Sequence, residues 1–350
     1  MTERRFEFFV EGADPSRTVL VDGTADGFRS LSHWPGNTTP AALKRDLSTG
    51  IALHWAQLSD AEHARLLGDF SVVANNHYDT DGVLSVFAVL HPERALAHRD
   101  LMLAAAAAGD FAVWRGEEAA AIDLTIMASS SSPDSPVPGV AAMSSDVERW
   151  AACYEHWLRE LPALLSDPLQ HRELIATELD RLHAQLELVR RGEDLQVQRF
   201  PDEDLALVTT RAALGPVALH EAVGDLHRVL VVHPGDDGPR YRFEYRDESW
   251  FELVDKRPLP LPRVKLDALR ERLSTAECAA RSAPSASDET AGRWWCEDLL
   301  RPVARLGFGR NEPPSGFFLD LGDELANDQA SRLEPEFVLR ELRAALRPRG

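Results

Sequence analysis

Short apolar runs separated by polar turns dominate the first 90 residues. Arg5–Val10 reads as one strand and Thr18–Val21 as a second, which ends abruptly at Asp22-Gly23. Phe70 to Ala74 is a third apolar run. It gives way to a polar knot, Asn75-Asn76-His77-Tyr78-Asp79-Thr80-Asp81-Gly82, and then to Val83–Leu90, an apolar stretch long enough for a buried helix. Between these runs, Leu31–Pro40 is a turn-rich loop carrying His33 beside Trp34. Asp46–Ala56 looks like a helix start capped by Asp46 or Ser48, and Asp60–Leu67 is helical. Strands alternating with helices predict an α/β lobe, with a mainly parallel sheet flanked by helices.

Beyond Leu90 the pattern turns helical. Asp100–Ala108 and Glu117–Met127 read as helices, the second with Asp123 on its polar face; Gly109-Asp110-Phe111 between them reads as a surface loop, with one more metal ligand at Asp110 as the alternative. Ser129–Gly139, all Ser, Pro, Asp, Val and Gly, has the composition of a flexible linker. From Val147 to Arg191 apolar residues recur every three or four positions, broken once at Asp167-Pro168. After Leu195 the period shortens. Val197–Phe200, Leu205–Thr209, Val217–His220, Arg228–His233, Tyr241–Tyr245 and Ser249–Leu253 read as strands, with a hairpin turn at 234–238. Leu266–Leu273, Arg293–Leu306 and Glu334–Leu346 read as helices, and Ser282–Ala291 as an exposed loop. The expected order is an α/β domain over 1–128, a linker-like segment over 129–143, a helical connector over 144–193 and an α+β C-terminal lobe over 194–350.

Composition narrows the function. With 44% hydrophobic and 27% charged residues the chain suits a soluble globular protein with a sizeable core. A net charge of −19 argues against broad surfaces for duplex nucleic acid or anionic membrane. A small anionic substrate would need local help from a metal or a few arginines. Three scattered cysteines without a CxxC pair fit a reducing cytoplasm, and no 18-residue apolar span suggests a membrane segment.

The polar knot packs one imidazole and two carboxylates into five residues at a strand end, where open α/β sheets place ligands. His77, Asp79 and Asp81 alternate, so an extended chain would turn them to one side, with Gly82 letting the chain enter the helix. This donor set suits Mn²⁺, Mg²⁺ or Fe²⁺. Helix capping by the carboxylates explains the same residues without a metal.

His77-x-Asp79-x-Asp81-Gly82-x-x-Ser85 resembles the first motif of the DHH phosphoesterases, H-x-D-x-D-G-x-x-S between a strand and a helix. VLVDG with Asp22 resembles their lone strand-end Asp. LSHWPGNTTP and DLSTGIALHWA, through His33 and Ser48-Thr49, echo their Asp-His-His element and the Ser-Thr helix start after it. Here the last two precede the first, as in a circular permutation, and the triplet reads Ser32-His33-Trp34. The resemblance implies two Mn²⁺ (or Mg²⁺) ions held by Asp22, His77, Asp79 and Asp81, with Asp81 or Asp22 bridging. It implies hydrolysis of a phosphoester or phosphoanhydride, Asp81 and His33 serving at the reacting centre, the latter as a ligand or general acid. Arg242 or Arg246 would hold the far end of a small phosphorylated or nucleotide substrate.

Two other readings remain open. DTDGVLS also matches the first motif of haloacid-dehalogenase-like phosphatases, with Asp79 as nucleophile, Asp81 as acid/base, Lys265 as the lysine, and Asp323 and Asp328 of FFLDLGDELAND as late carboxylates. The third is a non-catalytic nucleotide- or partner-binding protein with a degenerate site.

Overall fold

The structure, a computed structural model, describes residues 4–281, 293–296, 305–309 and 330–347. The architecture is mixed α/β. One compact unit comprises Met1–His183 together with Phe251–Arg257, and a second comprises Ala184–Trp250 and Pro258–Gly350.

In the first unit, β1 (Arg5–Phe8), β2 (Thr18–Val21), β3 (Arg29–Leu31) and β4 (Val72–Asn75) form a wholly parallel sheet in the order β1-β4-β2-β3. Helices α1 (Ser48–Ala56) and α2 (Asp60–Leu67) lie between β3 and β4 in sequence. After β4 come α3 (Thr80–Leu90), α4 (Pro92–Ala97), α5 (Arg99–Asp110), α6 (Glu117–Ser129) and α7 (Asp146–Ser166). Alternate strand residues face opposite ways. Val19, Val21, Leu31 and Val73 join the helices in one large core, while Leu20, Val72 and Ala74 pack against Phe9, Ala25 and Phe28 on the other face. Helix α3 is buried nearly all round, which is why its sequence is apolar without a polar stripe. Each fully buried side chain such as Val83, Leu84 or Phe87 contributes about 1.5–3 kcal/mol.

The Ser/Pro-rich stretch read as a flexible linker is instead folded into this unit. Ser135 Oγ donates to Ser129 O at 2.6 Å, and Val137 and Val140 are buried in the main core. Two apolar anchors and local side-chain bonds hold a segment whose composition alone suggests mobility.

Helix α8 (Arg172–Arg191) runs across the boundary of the two units. The second unit then carries β5 (Leu195–Phe200), β6 (Leu205–Thr210), α9 (Pro216–Val223), β7 (Arg228–His233), β8 (Arg240–Tyr245), α10 (Asp267–Ala280), β9 (Arg293–Cys296), β10 (Arg305–Gly309) and α11 (Pro335–Leu346). Its sheet runs β5-β6-β7-β8-β10-β9, with β6 and β7 parallel and the other pairs antiparallel.

Three expectations change here. Val217–His220 lies in α9, because Pro216 occupies the first helical position, where its missing N–H costs nothing. The expected helix from Arg293 to Leu306 is replaced, in its described parts, by β9 and β10, whose registry pairs Trp294 with Phe308 and Cys296 with Leu306. Ser249–Leu253 is no strand: a 3₁₀ turn at Asp247–Ser249 is followed by irregular chain that joins the first unit. Ser282–Ala291, Asp323 and Asp328 lie outside the described residues. Among the described residues, no helix is long and apolar enough to cross a membrane, and all three cysteines are free.

Candidate metal centre

The registers Leu20–Ala74 and Val21–Leu31 make β4, β2 and β3 end level with one another. Their C-terminal ends therefore deliver three segments to one edge: His77 to Asp79 after β4, Asp22 after β2, and His33 after β3. This is the crevice where parallel sheets place ligands. Asp22 bends sharply out of its strand with φ at +53°, a left-handed conformation that Asp tolerates better than most residues but that still stores strain.

Two overlapping groups of side chains converge there. Asp22, His33, Asp81 and Asp110 form one, and Asp22, His77 and Asp79 the other; within each group, one ligand-capable atom per residue lies within 4.8 Å of all the others. Asp22 belongs to both. Its Oδ1 lies 3.5 Å from His33 Nε2 and its Oδ2 3.2 Å from His77 Nε2, so one oxygen serves each group. Both oxygens are buried, and neither has a hydrogen-bond partner of good geometry among the described residues; the same holds for His33 Nε2. His33 Nε2 also stands 3.2 Å from Asp110 Oδ2 and 3.6 Å from Asp81 Oδ2. Asp79 Oδ2 is 2.8 Å from His77 Nε2.

The supports of these groups decide their protonation. His33 Nδ1 sits 2.6 Å from the Asp46 carbonyl oxygen, which can only accept. The N–H is therefore on Nδ1, and Nε2 turns a lone pair, or a second proton, toward three carboxylates. His77 is oriented in the same way by Asn76 Oδ1 at 3.1 Å. Burial would lower His77, but Asp79 and Asp22 outweigh it and hold the imidazole up to about 10. His33 is likewise raised against burial by Asp110, Asp22 and Asp81. Burial and then the Asp22 charge push Asp81 up to about 7, and burial with Asp81 raises Asp110. Asp22 goes the other way: the two imidazoles overcome its burial and hold it well below the usual range. Without cations, then, this pocket keeps protons to relieve its own repulsion.

Each carboxylate is also built into the fold. Asp79 precedes α3, and its Oδ1 accepts from Gly82 N at 2.7 Å, so capping and convergence on the centre coexist in one side chain. Asp81 lies inside the first turn of α3 rather than on extended chain, and its two oxygens accept from Ser48 N and Thr49 N at the start of α1. Gly82 does not serve as a turn with positive φ. It is needed because a Cβ there would stand 2.5 Å from Tyr154 Oη and 2.7 Å from Asn75 Nδ2. Ser85 turns away and donates to Gly82 O. Thr80 ties α3 to α6 through Asp123 Oδ1 at 2.6 Å, so Asp123 is not a solvated face residue.

Other participants are only weakly marked in the sequence. Asp110, read there as a surface loop residue with a metal ligand as the alternative, ends α5 with its side chain 8% exposed against His33. Residues 251–257 form a strap over the His33 loop. Phe251 stacks on the His33 ring at 3.9 Å, and Glu252 N donates to His33 O. Glu252 accepts from Asn37 Nδ2 and Lys44 Nζ. Asp46, expected as a cap, instead accepts the backbone N–H groups of Val254, Asp255 and Lys256, and the first N–H groups of α1 go to Asp81 rather than to a side chain at its own N-cap.

The arginines expected to grip a substrate are already engaged. In the second unit, Arg242 pairs with Glu244 at 3.1 Å. Arg246 is buried, pairs with Glu248 at 3.0 Å and donates to Gly224 O. Burial lowers the pKa of Arg246, and the glutamate only partly offsets this. A buried guanidinium with its donors spent inside the fold is a structural ion pair.

No curated protein and no solved structure matches this chain. A family model does match, over residues 2–347, and by that match the chain belongs to DUF6687, a family of unknown function.

Proposed function

We propose that this protein is a metal-dependent phosphoesterase. Its cofactors would be two divalent cations, Mn²⁺ or Mg²⁺, and its substrate a small phosphorylated or nucleotide molecule in the cytoplasm. One observation carries the reading: Asp22, with two buried oxygens that lack good hydrogen bonds, is shared by two groups of Asp and His side chains. Asp22, Asp79, Asp81 and Asp110 bring four negative charges, which two divalent cations would balance with both histidines neutral. The donors are oxygen and imidazole nitrogen without thiolate, as these ions prefer.

Asp22, His33, Asp81 and Asp110 would hold one ion, and Asp22, His77 and Asp79 the other. Bound there, such ions polarise a phosphoryl oxygen and lower the pKa of water. The chain does the rest. Asp46 O and Asn76 Oδ1 fix the imidazole tautomers that offer Nε2 inward, which favours His33 as a ligand over a general acid. Phe251 covers one face of His33 and keeps water from it. The resemblance of the His77–Ser85 motif to DHH phosphoesterases supports the same chemistry. The phospho-aspartate alternative is weaker, because Asp79 has one oxygen on Gly82 N and the other on His77.

The test is metal content after purification without chelator, followed by Mn²⁺ titration and hydrolysis of an activated phosphodiester. We expect about two ions per chain and Mn²⁺-dependent turnover in the wild type. Asp22→Asn should lose both ions, and Asp110→Asn should retain the His77 site. An Asp22→Asn variant that binds Mn²⁺ like the wild type would defeat the reading.

A further inference from the structure

Beside the metal centre, a cavity of about 410 Å³ lies against α1 and α5. Arg45, His54 and Arg99 line it, over an apolar floor of Leu47, Leu53 and Leu103. Neither arginine makes an ion pair among the described residues, although acidic residues outnumber basic ones by 57 to 38. The two acids on the cavity wall do not serve them. The carboxylate of Asp46 is taken by three backbone N–H groups of the strap, and exposed Asp255 pairs with neither arginine. One Arg45 nitrogen donates to Lys44 O, leaving most of its guanidinium uncommitted among the described residues. His54 Nδ1 is buried, with the Leu43 backbone beside its ring but no hydrogen bond of good geometry. Burial lowers the pKa of His54, and the charges of Arg45 and Arg99 lower it further, as expected for cationic groups gathered around one space.

Like charges collected around a cavity repel one another, and an anion placed among them relieves the repulsion while accepting their N–H groups. A second cavity of about 580 Å³ adjoins the first through Leu47, Leu103 and Asp255, and extends past Phe111 to Arg115. There is thus room for more than a bare ion.

We propose that the cavity lined by Arg45, His54 and Arg99 is a binding site for a phosphate-type dianion, either free or carried on an organic group. Arginine suits such a ligand because its forked donors match two phosphate oxygens at once. The leucine floor suits a ligand whose charged end continues into an apolar part. This site uses none of the six metal-centre side chains, so it stands or falls apart from the metal reading.

The experiment is calorimetric titration of the chelator-treated full chain with inorganic phosphate and with phenyl phosphate, EDTA being present throughout. Both should bind, more weakly as salt rises. Arg45→Gln/Arg99→Gln should weaken binding by about tenfold or more, as expected for loss of two charge-assisted contacts. Circular dichroism and Mn²⁺ stoichiometry should be retained. Equal affinities would assign the site to free phosphate, and tighter binding of phenyl phosphate to a phosphate on a larger molecule. The proposal is overturned if the chelated wild type binds neither compound, or if the folded double variant binds them as the wild type does. Should the double variant fail to fold, Arg99→Gln alone, at an exposed helix start, gives the same comparison.

Discussion

Replacing Gly82 by alanine probes how closely α3 is seated against the candidate metal centre. A Cβ at this position would stand 2.5 Å from Tyr154 Oη, 2.7 Å from Asn75 Nδ2 and 2.9 Å from Asp79 Oδ1. None of the three can simply swing aside. The Tyr154 ring is stacked on Phe6 at 4.5 Å, Asn75 Nδ2 donates to Asp22 O, and Asp79 Oδ1 already accepts from Gly82 N. Helix propensity alone would favour alanine by about 1 kcal/mol. Overpacking a well-filled site costs about 1–3 kcal/mol, and three simultaneous clashes put this case at or above the upper end. The expected net loss is about 2 kcal/mol, or a fall in Tm of about 4–8 °C for a unit of this size. Thermal melting of the chelated protein measures it, and Mn²⁺ titration should show weakened binding, since the displaced groups support Asp22 and Asp79. Gly82→Ala combined with Tyr154→Phe removes the nearest clash and should recover part of the loss. A Gly82→Ala protein that melts at or above the wild type would refute the argument.

The chelated protein should lose stability as pH rises. Asp81, up at about 7, and His77, up at about 10, keep protons when folded that the unfolded chain releases near 4 and 6.5. Their contributions are therefore full at low pH and fade between about 4 and 7 for Asp81 and between about 6.5 and 10 for His77, at about 1.4 kcal/mol per pH unit each. Melting temperatures at pH 5, 6.5 and 8 should fall without metal, and Mn²⁺ should stabilise most at pH 8; a flat or rising profile contradicts this. Asp46→Ala removes the acceptor of three strap N–H groups and should cost about 2–3 kcal/mol, since water takes over part of their bonding. Trypsin should then cut faster after Lys256, the Arg257 bond being blocked by Pro258, and an unchanged cleavage rate would mean that Asp46 does not hold the strap.

Much of the first unit could be read from its sequence because the information is local. Four-residue apolar runs ending in Asp22 and in the His77 knot announce parallel strands with polar C-terminal ends, and α3 is announced by its unbroken apolar run. What could not be read depends on partners distant in sequence. Asp110 follows an alanine-rich helix, where the sequence alone favours a surface loop over a metal ligand, until α5 lays it against His33. Val217–His220 is three apolar residues and a histidine, too short to separate helix from strand by period, and Pro216 decided for helix. The Trp-Trp segment at 293–296 reads as helix until cross-strand pairing claims it. Arg246 carries no mark in sequence of the Glu248 that buries with it.

The strap over His33 also has a consequence for the order in which the chain can finish folding. Every candidate ligand has been synthesised once residue 110 is made, yet Phe251 lies far downstream of His33, on which it stacks, and Glu252 about 216 positions downstream of Gly36 and Asn37, from which it accepts. Between them the chain must pass through β5 to β8 of the other unit. Closing so long a loop is entropically slow unless the intervening segment has first compacted. Folding of β5–β8 would then set the pace at which the His33 loop is capped, and a nascent chain halted near residue 183 would display its carboxylates without the ring that covers them. Vectorial synthesis thus separates the appearance of the donor set from its enclosure, leaving an interval in which metal from the surroundings could load before the strap arrives.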